Sequence, residues 1–277
     1  MEVSVTIIVE NTTPVPGVQG EYGFAALVKF NQQSWLFDTG LGPNLLTNAA
    51  AMGLELNDLD GLILSHGHFD HTGGVAALLK HHPPGLNVYA HQDIFTRRYV
   101  LQGERRADIS ASFSAEMVAE SGGKLTLHEQ FSALSSGIWL SGTIPRTNDF
   151  EDTGGRFVAE IAGELREDLL WDDIAMIIES PEGLIIISGC AHAGIVNTIE
   201  YAMQQTGQRK IRAWLGGTHL MNANQERINR TVRYLDDIDI RMMVPCHCTG
   251  FHATAVLYQA LGSERVVKGE CGMRFRF

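Results

Sequence analysis

Long apolar runs, blocks of positive charge and secretion signals are all missing from this 277-residue sequence. Apolar runs such as 184–187 fall far short of the ~20 residues that a membrane-spanning helix needs. The first residues carry neither a basic lead nor a long apolar stretch, so we expect no secretory signal. Lysines and arginines number 21 against 32 acidic residues, which gives a formal net charge of −11. These absences favour a cytoplasmic protein that binds neither membranes nor nucleic acid.

Cysteine is also scarce, and its placement excludes a secreted disulfide scaffold. The four cysteines, at positions 190, 246, 248 and 271, all lie in the C-terminal half. The length and the 44% hydrophobic content are sufficient for one sizeable core. We therefore expect a single domain over residues 1–277, with an irregular covering region at about 92–173.

Short β-branched runs alternate with Ala- and Leu-rich segments along most of the chain. The pattern predicts strands at Val3–Val9, Phe24–Phe30, Ser34–Phe37, Leu62–Leu64, Asn87–Ala90, Ile174–Ile178, Leu184–Ile187, Ile211–Leu215 and Arg241–Val244. It predicts helices at Pro43–Met52, Val75–Lys80, Val196–Gln205, Gln225–Leu235 and Ala253–Leu261. Between 92 and 173 the pattern weakens to loops, a helix and edge strands such as Lys124–Leu127 and Gly137–Leu140. Strands followed by helices favour an α/β fold with a similar architecture in both halves.

Three histidines and one aspartate directly follow the apolar strand at 62–64, namely His66, His68, Asp70 and His71. Imidazole nitrogens and carboxylate oxygens suit zinc, manganese and iron. In a loop at a strand end, side chains two residues apart can point the same way, so His66 and His68 are expected to bind one ion. Asp70 and His71 begin the next helix, where they can face a second ion. At this composition, the spacing H-x-H-x-D-H would occur by chance in about one sequence of this length in a thousand.

Three later histidines, His192, His219 and His247, each follow an apolar strand. Residues at the ends of neighbouring strands meet at one edge of a sheet. A pair of metal ions also needs ligands from outside the first motif, because adjacent residues cannot surround both ions. We therefore expect these histidines to converge with the His66–His71 motif.

The His66–His71 motif resembles the H-x-H-x-D-H hallmark of the metallo-β-lactamase superfamily. The resemblance implies an α/β fold, an αββα sandwich of two mixed sheets flanked by helices. The segment 37–40 resembles that family's first motif, whose aspartate, Asp38 in this sequence, supports the metal-binding loop from behind. Segments 143–146 with 150–151, 188–197, 215–220 and 245–250 resemble a narrower branch. That branch contains the archaeal dihydropterin synthase of methanopterin biosynthesis and uncharacterised bacterial metallo-hydrolases.

The resemblance also implies a ligand set and catalytic residues. The implied metal ligands are His66, His68, Asp70, His71, His192 and His247, and the implied catalytic residues are Asp70 and His219. Cys190 stands where the family has a bridging aspartate, so it is a further possible ligand. His219 and His247 remain alternatives for the last ligand. The implied cofactor is one or two divalent ions, zinc first, with manganese or iron as alternatives.

The cysteines on either side of His247 are expected to point away from it. Cys246 and Cys248 occupy alternate positions around that histidine, and successive strand residues face opposite sides of a sheet. We expect both thiols to be packing residues.

A cluster of arginines in the irregular region offers two interpretations. Arg97, Arg98, Arg105 and Arg106 form either a solvated helix face or a phosphate grip, since guanidinium groups match phosphate oxygens. Arg146 is a similar candidate. The substrate-binding candidates are therefore Arg146, Arg97 and Arg98.

The implied function is a metal-dependent hydrolase, or a related transferase, that uses metal-activated water on a small and possibly phosphorylated molecule. Within the branch, the named reaction is the condensation of a pterin diphosphate with an arylamine. A di-iron redox enzyme and a non-catalytic metal-binding protein are the alternatives. The expected partner is a small-molecule substrate, and the sequence makes no prediction of oligomeric state.

Overall fold

The structure is a computed structural model that describes residues 2–277. Its strands are β1 (Val3–Val9), β2 (Ala25–Phe30), β3 (Gln33–Phe37), β4 (Gly61–Ile63), β5 (Asn87–His91), β6 (Arg98–Gln102), β7 (Arg105–Asp108), β8 (Lys124–His128), β9 (Ser132–Ser135), β10 (Ile138–Leu140), β11 (Phe157–Ile161), β12 (Glu164–Glu167), β13 (Ala175–Ser180), β14 (Gly183–Ser188), β15 (Ile211–Gly216), β16 (Met243–Pro245) and β17 (Arg274–Arg276). Its helices are α1 (Leu45–Ala51), α2 (Phe69–Thr72), α3 (Val75–His81), α4 (Ala115–Glu120), α5 (Ile195–Thr206), α6 (Gln225–Asp237) and α7 (Phe251–Leu261), and a 3-10 turn spans His247–Thr249. Each strand and helix that the sequence predicts is present, with ends within two residues of the prediction.

The residues fall into two compact units, and each unit contains a mixed sheet with helices. Unit 1 comprises the chain up to His128 together with Val158–Arg166 and Glu270–Phe277. Unit 2 comprises Glu129–Phe157 and Glu167–Gly269. That the chain acts as a single domain stays a prediction.

The main sheet of unit 1 has seven strands in the order β17-β1-β2-β3-β4-β5-β8, and a smaller sheet has the order β12-β11-β6-β7. Strands β1 to β3 pair antiparallel, whereas β3, β4, β5 and β8 run parallel. Strand β4 is buried along its whole length, which explains its apolar sequence without alternation. Leu45 of α1 and Leu78 of α3 pack with Leu62 of β4 in the core. The apolar core therefore fixes the position of the sheet edge at which the parallel strands end.

The sheet of unit 2 has six strands in the order β16-β15-β14-β13-β10-β9. Strands β14, β15 and β16 are parallel, and helices α5 and α6 provide the crossovers that parallel neighbours require. Ile199 of α5 and Leu257 of α7 pack with Ile186 and Trp214 of the sheet. Unit 2 thus repeats the design of unit 1, with antiparallel strands on one side of the sheet and parallel strands on the other. Among the described residues, every helix is too short or too polar to cross a membrane.

Two strands differ from the expectations. Strand β10 is not an edge strand, because it pairs with both β13 and β9 and buries Ile138 and Leu140 completely. Strand β17 was not predicted, since its Arg274–Arg276 sequence has a single apolar residue. It completes the unit 1 sheet by pairing with β1.

Candidate metal-binding groups

The loop between β4 and α2, together with α2 itself, carries the first group of candidate ligands. His66 and His71 are fully buried, and His68 and Asp70 are 5% and 6% exposed. The loop packs tightly, because a Cβ atom at Gly67 would lie 2.2 Å from the carbonyl oxygen of Ile94. Glycine is therefore required between the first two histidines.

Ring nitrogens in this group approach each other as metal ligands do. The Nε2 atom of His66 lies 3.0 Å from Nδ1 of His68. Two nitrogens bound to one tetrahedral zinc at 2.0–2.1 Å would be about 3.3 Å apart. The ring of His71 is 4.3 Å from that of His66, and its Nε2 atom lies 3.8 Å from a carboxylate oxygen of Asp70. Three imidazoles and one carboxylate therefore gather within unit 1.

The buried carboxylate of Asp38 holds this group in orientation. Its Oδ2 atom accepts hydrogen bonds from Nδ1 of His71 at 2.6 Å and from the Ser65 hydroxyl at 2.7 Å. Its Oδ1 atom accepts from the Ser65 backbone N–H at 2.7 Å. The Ser65 hydroxyl, which donates to Asp38, accepts in turn from Nδ1 of His66 at 2.9 Å. Both rings thus carry their proton on Nδ1 and offer Nε2 to a metal.

The second group comes from three separate strand ends of unit 2. Cys190 and His192 follow β14, His219 follows β15, and His247 and Cys248 follow β16. The backbone is left-handed at His219 and His247, with φ values of 45° and 47°. Such conformations cost non-glycine residues about 1–3 kcal/mol each and concentrate at functional sites.

These side chains form two overlapping clusters that share Cys190. The potential ligand atoms of Cys190, His192 and His219 lie within 4.8 Å of one another, and so do those of Cys190, His247 and Cys248. The rings of His192 and His219 are 4.4 Å apart. Unit 2 therefore gathers all three later histidines around a buried thiol.

A peptide segment before β11 orients the two neighbouring histidines. The Nδ1 atom of His192 donates to the carbonyl oxygen of Thr153 at 2.7 Å, so Nε2 is the nitrogen that can bind a metal. The backbone of Gly154 lies against the ring of His219, and the ring of Phe157 is perpendicular to both histidine rings, with centroid distances of 5.3 and 5.9 Å. Thr153 and Gly154 therefore fix the orientation of both histidine rings.

The structure corrects the expectation for one of the two cysteines beside His247. Cys246 points away, with its thiol directed at the carbonyl oxygen of Val244. Cys248 faces the cluster, because the 3-10 turn breaks the strand alternation, and its sulfur accepts the backbone N–H of His219 at 3.3 Å. Burial opposes ionisation of Cys248, but a hydrogen bond from Cys190 and the charges of His219 and His247 hold its pKa well below the usual value. The Cys-His-Cys spacing pointed to Cys248 as a candidate ligand. The spacing does not indicate which way the Cys248 side chain points.

None of the four arginines lies on a helix, so the interpretation as a solvated helix face is wrong: Arg97 precedes β6 in a loop, and the other three lie on β6 and β7. Arg98 begins β6, is 1% exposed and donates to the carbonyl oxygens of Asp93 and Thr96. A Cβ atom at Gly67 would lie 2.7 Å from its Nη1 atom, so this guanidinium lies behind the metal-binding loop. Arg105 and Arg106 are exposed on β7. Substrate binding by Arg97 and Arg98 stays a prediction.

Arg146 lies behind the His192 loop. It donates to the carbonyl oxygens of Leu169 and His192 and stacks 4.7 Å above the ring of Trp171. The fully buried Asp173 accepts the backbone N–H of Ala193 at 2.9 Å, and burial raises the pKa of Asp173 to about 7. Both side chains therefore hold loop backbone, and a role of Arg146 toward substrate stays a prediction.

Comparison with known proteins places these features in context. A family model described as the metallo-beta-lactamase superfamily matches residues 18–164. An uncharacterised protein of Methanocaldococcus jannaschii is 30% identical over 255 residues, which cover 92% of this chain and 94% of that protein. The 7,8-dihydropterin-6-methyl-4-(beta-D-ribofuranosyl)-aminobenzene-5'-phosphate synthase of the same organism is 33% identical over 224 residues, 79% of this chain and 76% of the synthase. The crystal structure of a metal-dependent hydrolase of the beta-lactamase superfamily matches with a TM-score of 0.83 and 27% identity, over 99% of this chain and 98% of that chain.

Proposed function

This chain belongs to the metallo-beta-lactamase superfamily, and on that premise we propose that it is a metal-dependent enzyme acting on a small-molecule substrate. The observation that carries the proposal is the 3.0 Å approach of His66 Nε2 and His68 Nδ1, beside a His71 ring whose Nδ1 is bound to Asp38. Metal-binding histidines typically donate their second ring nitrogen to a carboxylate or another oxygen in this way. The donor chemistry of the group therefore fits a divalent ion.

The proposed ligands are those that the sequence predicts, His66, His68, Asp70, His71, His192 and His247, with Cys190 as a further candidate. We add Cys248 as a second candidate thiol, because its sulfur lies within 4.8 Å of the potential ligand atoms of Cys190 and His247. We propose one or two ions in total. Imidazole together with carboxylate and thiol donors favours zinc, with manganese or iron as alternatives. A cytoplasmic location belongs to the same proposal, because the four cysteines are free and buried, as is typical of proteins in a reducing compartment.

Each residue has a defined task in the proposed reaction. Bound divalent ions supply Lewis acidity and lower the pKa of bound water toward ~7. Asp70 orients the attacking group with its carboxylate, and His219 holds or moves a proton at its buried ring. Asp38 and Thr153 keep the rings of His71 and His192 in the tautomers that leave Nε2 toward the metal.

Hydrolysis is the reaction type we propose first, with a phosphodiester or a lactone as the substrate class. The 33% identity to the archaeal synthase supports a second candidate, a transferase. In that reaction the arylamine nitrogen bonds to the pterin methylene carbon, the carbon–oxygen bond to diphosphate breaks, and the amine releases one proton.

One assay series tests both candidates. The purified protein is depleted of metal with a chelator, reloaded with zinc or manganese, and offered bis-p-nitrophenyl phosphate, a simple lactone, or a pterin diphosphate with an arylamine. We expect turnover of at least one substrate that disappears on chelation and returns on reloading. Turnover that is unaffected by chelation would contradict the proposal.

A further inference from the structure

The peptide segment 148–154 of unit 2 touches both histidines of the first unit 2 cluster. The carbonyl oxygen of Thr153 accepts the Nδ1 proton of His192 at 2.7 Å. A Cβ atom at Gly154 would lie 2.1 Å from Nδ1 of His219, so the backbone there runs directly against that ring. The position of residues 152–154 therefore determines how both rings are held.

A buried arginine on helix α6 fixes this part of the segment. Arg227 is 2% exposed, and its Nη1 atom forms an ion pair with Oδ1 of Asp152. The same oxygen accepts the backbone N–H of Gly154 at 2.7 Å. One carboxylate oxygen thus joins the guanidinium to the turn at 152–154. The Asp152 side chain is 71% exposed, so without Arg227 it has little else to hold it in place.

The energetics of this pair indicate a role beyond stability. Among the described residues, the Nε and Nη2 atoms of Arg227 lack hydrogen-bond partners although they are buried. The carboxylate of Glu151, which lies in the same segment, also attracts this guanidinium. A buried charge with unbonded donors still pays a desolvation penalty, and an apolar side chain of similar volume is often equally stable or more stable. The asparagine at position 224 caps α6 without any help from this guanidinium. Capping of α6 is therefore not the reason for this arginine.

We propose that Arg227 is a positioning residue for His192 and His219, acting through Asp152 and the 152–154 turn. It keeps the carbonyl oxygen of Thr153 on Nδ1 of His192, which directs Nε2 to the metal. This inference rests on the proposed function, because the two histidines matter as a metal ligand and as a proton carrier.

A second ion pair offers a matched control. Arg230 lies one turn further along α6 and binds Asp149 of the same segment at 2.7 Å, with exposures of 37% and 82%. Its guanidinium also stacks 4.1 Å above the ring of Phe150. This pair connects the same helix to the same segment through Asp149 and Phe150, outside the 152–154 turn. Its loss should therefore leave the histidine rings unchanged.

The first measurement uses nitrogen NMR of the metal-free protein to record the tautomer of His192. We expect the Nδ1-protonated form in the native protein and in Arg230→Met, and a mixture of both tautomers in Arg227→Met. Arg227→Lys, which can restore one ion pair with Asp152, should return most of the native signal. A merely structural role would change the melting temperature without changing the tautomer.

The second measurement is zinc affinity by chelator competition. Loss of groups that orient metal ligands typically weakens binding 10- to 100-fold, and we expect this range for Arg227→Met against less than about 2-fold for Arg230→Met. If Arg227→Met does not fold, Asp152→Asn breaks the same link at an exposed side chain. A folded variant of either kind with the native tautomer and native zinc affinity would overturn the proposal. If the native protein binds none of zinc, manganese and iron, the proposed function fails, and the tautomer comparison still decides the positioning role.

Discussion

The two groups of candidate ligands differ in origin and in the way they are held. In unit 1 the donors lie within one stretch, His66–His71, and side chains orient the rings, with Asp38 binding His71 and Ser65 binding His66. In unit 2 the donors come from three strand ends, and a backbone carbonyl orients His192. The first group is therefore a local motif, whereas the second exists only once the parallel strands are paired.

A buried arginine lies behind each group, and the two arginines act differently. Arg98 donates to backbone carbonyl oxygens and packs against Gly67 of the unit 1 loop. Arg227 forms its ion pair with Asp152, which is itself exposed, and is also attracted by Glu151. The unit 1 arginine is therefore bound to interior backbone, whereas the unit 2 arginine is paired with a carboxylate at the surface.

Removal of one proposed ligand from each unit has the largest expected effect. We expect His68→Ala and His192→Ala each to lower kcat/KM more than about 100-fold and to reduce the zinc content. The reason is that losing a ligand should weaken metal binding more than losing a group that only orients a ligand, which typically costs about 10- to 100-fold. The exposed His252 serves as the control, and His252→Ala should behave as the native protein. Mass spectrometry of bound metal and steady-state kinetics provide the measurements. If only one of the two ligand variants loses zinc and activity, the two groups do not serve the same reaction.

Removal of the carboxylate behind the unit 1 group comes next. Asp38→Asn leaves at least one of three buried donors without its acceptor. We expect zinc affinity to fall about 10- to 100-fold and the free energy of unfolding to fall by about 1–3 kcal/mol. Chelator competition and urea unfolding measure the two effects. Unchanged zinc affinity in a folded Asp38→Asn protein would contradict the supporting role of Asp38.

The thiols of unit 2 sharpen the comparison, because the unit 1 group contains no sulfur. Cobalt bound by Cys190 and Cys248 would show sulfur-to-metal absorption in the near ultraviolet. We expect Cys248→Ser to weaken this absorption by about half, since one of two thiol donors is lost. Cys246→Ser is the matched control, because that thiol points toward Val244. Equal spectra for the two variants would contradict the placement of Cys248.

The smallest expected effect concerns the buried acid behind the His192 loop. Burial raises the pKa of Asp173 from 3.8 to about 7, although the Ala193 N–H and Arg146 favour the charged form. Between these two pH values the unfolded chain has released a proton that the folded chain retains, so the free energy of unfolding falls as pH rises.

Asp173→Asn removes this proton and keeps an acceptor for Ala193. The native protein should lose stability from this group as pH rises from 4 to 7, and the variant should not. We therefore expect the difference in melting temperature, variant minus native, to increase by a few degrees over this pH range. Thermal unfolding of metal-free protein at several pH values measures this difference. Parallel melting curves would show that Asp173 does not carry the proton.

Much of the fold and half of the site could be predicted from sequence. The metallo-β-lactamase fold is confirmed by the family match, and His66–His71 was readable because the donors are adjacent and follow an apolar strand. The direction of Cys248 was not readable, since it depends on a 3-10 turn that ends the alternation of β16. Arg227 gave no signal either, because its partner Asp152 lies 75 residues away in the chain.

X-ray absorption at the zinc edge tests the central claim most directly, since it reports which atoms bind the metal. For the zinc-loaded protein we predict a shell of imidazole nitrogens and oxygens at about 2.0–2.1 Å, with a sulfur contribution near 2.3 Å. The nitrogen signal should decrease in both His68→Ala and His192→Ala. A spectrum of oxygen ligands alone, identical in the native protein and both variants, would contradict the account.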